Sequence, residues 1–187
     1  MDSPSETFLV RLRRDGSQRD WERFHDLYNP LLHFWAHRLV PPNEVSDLVQ
    51  DVFLLVMQKL PSFAGTEDRS FIAWLRAVLW NRWRDLGRRA AVRQCVGEAA
   101  ALEQIPGKDD LGEVAAAEER NLLIRRALQI MKTDFEPTTW RACWEAVACD
   151  RAAAEVAAEL GVSVDVVYSA CYRVVRRLRN ELAGVWH

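Results

Sequence analysis

Nowhere in this chain do apolar and polar residues alternate between turn signals, as they would in a half-buried strand. Apolar residues three and four apart recur along most of it instead. That pattern confines the chain to packed helices. With 49% apolar side chains, eight Trp and only eight Gly and seven Pro in 187 residues, it has enough large side chains to fill a helical core.

The spacing predicts helices over residues 6–14, 20–39, 43–60, 70–89, 118–132, 137–148, 151–160 and 163–183. Asp15-Gly16-Ser17 separates the first two, and Pro30 is expected to kink or break the second. Pro41-Pro42 ends that helix, and Asn43 is the expected N-cap of the next. From residue 94 to about 114 the composition shifts to Gly, Ala, Asp and Glu around Ile105-Pro106-Gly107, which reads as a linker. The expected fold class is all-α, with two small helical domains joined by an acidic flexible linker.

Several function classes are excluded. The longest uncharged run, residues 27–37, is too short to cross a bilayer, so no membrane insertion is expected. The N-terminus lacks a basic patch followed by an apolar stretch, and Cys95, Cys143, Cys149 and Cys171 follow no framework spacing. Reduced thiols and a cytoplasmic location are expected. Gly107-x4-Gly112 is followed by Glu113 where a phosphate-cradling loop needs Lys. His33 and His37 have no third ligand at matching spacing, and Cys143-x5-Cys149 has no paired second motif. No enzyme activity, metal or cofactor is expected.

The net charge of −2 conceals a sharp partition. Residues 1–68 sum to −4, residues 69–93 to +6, residues 94–119 to −6, and residues 120–150 and 151–187 to +1 each. A basic block runs directly into an acidic one.

In residues 151–183, Ala157 is the small residue two crossing helices need, and Gly161 supplies the turn between them. Val156, Leu160, Val162 and Val167 lock the second helix onto the first. Ala-x3-Gly-x5-Val at this spacing resembles a helix-turn-helix whose second helix enters the DNA major groove. Ser163 would cap that helix and expose Val164, Asp165, Tyr168, Ser169 and Tyr172, followed by Arg173, Arg176, Arg177 and Arg179. Four Arg and no acid between Cys171 and Asn180 suit phosphate contact.

On the helix over residues 70–89, Phe71, Leu75, Val78, Leu79 and Leu86 fall on a core side. Trp74, Trp80, Asn81, Arg84 and Arg88 fall opposite. Rings between Arg side chains suit single-stranded nucleic acid, with bases stacking while Arg holds phosphates. The same rings could instead cover neighbouring helices, and for Trp83 that is the better reading. On the helix over residues 43–60, Val45, Leu48, Val49, Val52, Phe53, Val56 and Leu60 form a buried stripe. The other face carries Asp47, Gln50, Asp51 and Gln58 around Leu54, a candidate anchor for a protein partner.

These residues, in order, resemble a family. Phe24-x2-Leu27-Tyr28, Asp47-Leu48-Val49-Gln50-Asp51-Val52-Phe53, Phe71-x2-Trp74-Leu75-x5-Asn81 and Asp85-x2-Arg88-Arg89 are similar to region two of bacterial extracytoplasmic-function sigma factors. The terminal helix-turn-helix is similar to their region four. Phe135-Glu136-Pro137-Thr138-Thr139-Trp140, with Ala154-Glu155-Val156-Ala157, resembles a subgroup common in planctomycete-like bacteria. The resemblance implies region two over residues 1–93, a linker over 94–117 and region four over 118–187.

It further implies a sigma factor that binds core RNA polymerase and directs promoter recognition, DNA melting and transcription initiation. Asp47, Gln50, Asp51, Leu54 and Gln58 would meet the β′ clamp helices. Ser62, Phe63, Gly65, Trp74, Trp80, Asn81, Arg84, Arg88 and Arg89 would open the −10 element and hold its flipped base. Ser163, Val164, Tyr168, Ser169, Tyr172, Arg173, Arg176, Arg177 and Arg179 would read the −35 element. The implied partners are core RNA polymerase, through the β′ clamp helices and the β flap, and promoter DNA, with an anti-sigma factor or other regulator left open. Asp165 and Val166 depart from the family's common Gly and Thr. Tyr168, Ala170 and Cys171 stand where basic residues are frequent, and Asp51 replaces the common Glu. The competing reading is a dimeric helix-turn-helix regulator, which would leave the Asp47 helix and the Trp74–Arg89 face without purpose.

Overall fold

The computed structural model describes residues 8–63, 70–94 and 113–183, and the side chains among them except those of 90–94 and 113–115. All regular structure among the described residues is helical. The helices are α1 (Phe8–Asp15), α2 (Gln18–Ala36), α3 (Val45–Lys59), α4 (Phe71–Gln94), α5 (Glu113–Met131), α6 (Pro137–Cys143), α7 (Ala153–Leu160) and α8 (Val164–Glu181). α6 continues as a π-helical turn, Trp144–Ala148.

Local chemistry sets the boundaries. Gly16 stands between α1 and α2 because a Cβ there would lie 2.6 Å from the Leu12 carbonyl oxygen. Ser17 then opens α2 with a reciprocal capping box, its hydroxyl accepting from the Asp20 N–H while the Asp20 carboxylate accepts from the Ser17 N–H. Burial raises the Asp20 carboxyl pKa, but the Ser17 hydrogen bonds and Arg11 together bring it below its ordinary value.

Two expectations at these boundaries are corrected. Asn43 does not cap α3, which starts at Val45 behind Glu44 without a side-chain cap. Of the kink or break expected at Pro30, the break does not occur, and α2 runs through it to Ala36. A proline inside a helix leaves the carbonyl four residues earlier without its donor. Here that carbonyl belongs to Asp26, and it accepts from Arg126 Nε of α5 at 2.7 Å. A side chain one hundred residues away closes the gap the proline opens.

The main core gathers Phe24, Leu27, Tyr28, Leu31, Leu32 and Trp35 of α2 with the α3 stripe and with Phe71, Leu75, Val78 and Leu79 of α4. Phe24, Tyr28 and Phe71 form its aromatic centre, with ring centroids 4.7–6.0 Å apart. α5 joins this same core through Leu123 and Ala127. A smaller core under α6, α7 and α8 comprises Ala142, Val156, Ala157, Val167 and Ala170.

Charged groups fasten α5 and α8 to the first four helices. Glu119, 3% exposed, accepts from the Trp35 indole N–H at 2.9 Å and pairs with Arg76. Glu119 belongs to the acidic block in the sequence and Arg76 to the basic one, so part of the charge partition is resolved by direct pairing. Arg23 meets Asp134 at 2.8 Å and buried Glu181 at 2.7 Å, and Arg177 meets the same Glu181 at 2.8 Å. A buried carboxylate held by two guanidinium groups is costly to uncouple from either.

Among the described residues the buried Tyr28 hydroxyl has no hydrogen-bond partner, and burial raises its pKa. Such a group carries its desolvation cost uncompensated. Tyr28→Phe is therefore expected to raise stability by about 1 kcal/mol in urea unfolding. A clear loss of stability would mean that the hydroxyl is bonded in solution.

Candidate protein-docking and nucleic-acid surfaces

α3 presents the first surface. Burying Val45, Leu48, Val49, Val52 and Val56 turns Asp47, Gln50, Leu54 and Gln58 outward on the opposite face. Leu54 is 58% exposed. Met57, which the sequence reading passed over, is 49% exposed and widens the apolar spot, being three residues beyond Leu54 on the same face. Asp51 is half-buried, and one of its carboxylate oxygens accepts from Arg82 Nε and Nη2 of α4 at 3.0 and 2.6 Å. It holds α3 against α4 at the edge of the exposed stripe.

α4 builds the second surface. Asn81, Arg84, Arg88 and Arg89 are exposed, on a helix anchored by Phe71, Ile72, Leu75, Val78 and Leu79. Arg88 pairs with Asp85 at 2.6 Å, both well exposed, a contact worth at most about 1 kcal/mol and readily released. The Trp residues divide. Trp74 packs against Phe63 and Phe71, with centroids 4.9 and 5.5 Å apart, and belongs to the core edge together with Trp83. Trp80 meets Trp83 edge-on at 5.6 Å but is not packed into that core. Its half-exposed ring stands beside Asn81 and one turn before Arg84. Before α4, the Ser62 hydroxyl donates to the Lys59 carbonyl at 2.8 Å, and the Phe63 carbonyl accepts from Arg13 at 2.8 Å. Gly65 lies outside the described residues.

The third surface is the outer face of α8. Gly161 adopts φ +66 at the α7 C-cap with nothing within 4 Å of the Cβ position, so the turn needs glycine for its backbone angle and not for space. Ser163 caps α8, accepting from the Val166 N–H at 3.4 Å. Val156, Ala157, Val167 and Ala170 are buried between the two helices. Arg151 braces the unit by pairing with Glu145 at 3.1 Å and Glu159 at 2.8 Å, and its hydrogen bond holds the Glu159 carboxyl below the usual carboxylate range. Val164, Tyr168, Ser169, Tyr172, Arg173, Arg176 and Arg179 are exposed, with Tyr168 at 62% and Tyr172 at 65%. Arg177 is half-buried and committed to Glu181.

The α8 arginines do not face open solvent alone. Arg173, Arg176 and Arg177 line a cleft of about 1020 Å³ together with Arg11, Arg19 and Arg23 of α1 and α2, with Asp20 and Asp134 between them. No sequence signal announces this apposition, because it depends on how α5 and α8 dock on α2.

The family model for Sigma-70 region 2 matches residues 24–93. No curated protein matches the chain. Among solved structures the chain is similar to CnrH in complex with the cytosolic domain of CnrY, at 22% identity over 91% of this chain and 92% of that one, with a TM-score of 0.37. It is also similar to the sigma factor RpoE in complex with the anti-sigma factor NepR from Bartonella quintana, at 20% identity over 86% and 95%, with a TM-score of 0.35. The matched residues 24–93 contain the whole of α3, α2 from Phe24 onward and all of α4 but its last residue, and with them both the Leu54 and the Trp80–Arg88 surfaces. Over residues 24–93 the chain is thus similar to sigma-70 region 2.

Proposed function

We propose that this chain is a sigma factor of the extracytoplasmic-function type, which binds core RNA polymerase and directs promoter recognition, melting and initiation. The observation that carries this reading is the coincidence of the region 2 match with two outward faces. One is an apolar and acidic stripe on α3, and the other an aromatic and basic face on α4. The family is not one of enzymes. Among the described residues, no helix is long and apolar enough to cross a membrane.

In this reading Asp47, Gln50, Leu54, Met57 and Gln58 contact the β′ clamp helices, while Asp51 fixes α3 on α4 and touches the partner from its edge. Trp80 stacks on an unpaired base of the −10 element, and Asn81, Arg84, Arg88 and Arg89 hold that strand. Residues 118–187 form region four, in which Tyr168, Ser169, Tyr172, Arg173 and Arg176 read the −35 duplex and Arg179 contacts phosphate. A cleft of about 1020 Å³ holds small molecules and not a duplex. Reading the −35 element through Arg173 and Arg176 therefore requires α8 to withdraw from α1 and α2, which breaks the Arg23–Glu181 and Arg177–Asp134 pairs.

The test is binding to purified core polymerase in size-exclusion chromatography. A one-to-one complex supports the reading. A chain that ignores core enzyme and shifts specific duplex DNA as a dimer is instead a helix-turn-helix regulator.

A further inference from the structure

The cleft between α8 and the first two helices holds more positive charge than its own acids balance. Arg11, Arg19 and Arg23 line it from α1 and α2, and Arg173, Arg176 and Arg177 from α8. The acids among its lining residues are Asp20 and Asp134, and both are already engaged. Asp20 pairs with Arg11 at 3.1 Å and Asp134 with Arg23 at 2.8 Å. Buried Glu181, the third acid held by this cluster, is shared between Arg23 and Arg177. Among the described residues, Arg19 and Arg173 pair with no carboxylate. The hydrogen bonds of Arg173 are long and neutral, to the Ser169 carbonyl at 3.4 Å and the Thr139 hydroxyl at 3.5 Å.

Like charges gathered in a partly enclosed space repel, and an entering anion relieves that cost. The cationic lining residues are all Arg, whose planar fork grips two phosphate oxygens at once. Aromatic surface lies in the same cleft, from Tyr172, 65% exposed, and half-buried Phe135. A ring beside guanidinium groups suits a base attached to phosphates better than it suits a bare anion. The volume of about 1020 Å³ is that of a small-molecule site.

We propose that this cleft binds a nucleoside di- or triphosphate, with Arg19 and Arg173 holding its phosphates from the two walls and Tyr172 stacking on its base. The bound nucleotide bridges α2 and α8 and holds the cleft closed. The site itself stands apart from the promoter reading, but its consequence rests on that reading. A ligand that binds only the closed form opposes the withdrawal of α8 that a duplex needs. Apparent duplex affinity then falls by one plus the ratio of nucleotide concentration to its Kd.

The experiment titrates the full chain with ATP by calorimetry in about 0.15 M salt, without DNA or polymerase. The expected Kd is about 10–100 μM. Arg19→Ala should weaken ATP binding about 10-fold, because a charge-assisted phosphate contact is lost. Arg19 is exposed and on α2, so the same variant should bind duplex normally when no nucleotide is present. Arg179→Ala, exposed on α8 but outside the cleft, should bind ATP like the unaltered chain. Inorganic triphosphate should bind about 5-fold more weakly than ATP, and Tyr172→Ala should abolish that difference. ATP at about ten times its Kd should lower affinity for a −35-type duplex about 10-fold. No ATP binding below about 1 mM, or binding that Arg19→Ala and Arg179→Ala weaken equally, overturns the site. Inorganic triphosphate that binds as tightly as ATP overturns the nucleotide assignment. ATP binding with unchanged duplex affinity overturns the coupling to α8. A chain that binds no duplex with or without ATP counts against the sigma reading, and the titration still decides the site.

Discussion

Leu54→Asp is expected to abolish binding to core polymerase, a loss of at least about 100-fold, and to leave the helical circular dichroism spectrum unchanged. The two halves of this result come from the same side chain. Leu54 is 58% exposed, so the fold draws little stability from it, and a surface substitution of this kind changes stability by about 0.5 kcal/mol or less. An exposed Leu beside exposed Met57, rimmed by Asp47, Gln50 and Gln58, has the form of an apolar anchor inside a polar ring. A carboxylate at its centre would be desolvated without a partner when the complex forms. The same change at Leu48, on the same helix but 1% exposed, should unfold the protein instead. Core binding that survives Leu54→Asp would place the interface elsewhere.

The second large effect is expected from Arg84→Ala combined with Arg88→Ala. Both side chains are exposed on the α4 face that also carries Asn81, and neither contributes to the buried core. Holoenzyme should form with ordinary affinity, because the α3 stripe is untouched. Promoter opening should fall by about 10- to 100-fold, since two phosphate contacts to the opened strand are lost. Permanganate reactivity of the −10 thymines reports this directly. Thymines as reactive as with the unaltered chain would remove Arg84 and Arg88 from the melting surface. Trp80→Ala should weaken opening in the same assay, whereas Trp74→Ala should act through stability, because Trp74 packs on Phe63 and Phe71.

What could be read from the sequence was whatever depends on neighbours along one helix. The α3 stripe follows from a three-and-one spacing, and the structure buries Val45, Leu48, Val49, Val52 and Val56 as that spacing requires. The turn at Gly161 and the cap at Ser163 are equally local, and both are present. The features that escaped depend on distant partners. Pro30 remains inside α2 because Arg126 supplies the missing donor to Asp26, and nothing near Pro30 in the sequence reveals that. Asp51 reads as one more exposed acid until α4 brings Arg82 against it. The Trp residues of α4 have the same local pattern, and only the position of Phe63 separates Trp74 from Trp80. Met57 was within reach, since its spacing from Leu54 places both on one face.

The same distinction applies to charge. The basic block of residues 69–93 and the acidic block of residues 94–119 are plain in the sequence. That Glu119 turns back onto Arg76 and Trp35, burying one of the acids at the junction, is a tertiary outcome. It ties α5 to the core of α2, α3 and α4 and makes the cleft between α8 and α1–α2 part of the free protein's form.

The most direct measurement is run-off transcription by core polymerase reconstituted with this chain, on supercoiled genomic promoter fragments, with the 5′ ends of the transcripts sequenced. The account predicts discrete start sites that depend on the chain, share upstream −10 and −35 elements, and vanish with Leu54→Asp. Transcripts no different from those of core enzyme alone, from a chain that binds DNA without polymerase, would contradict it.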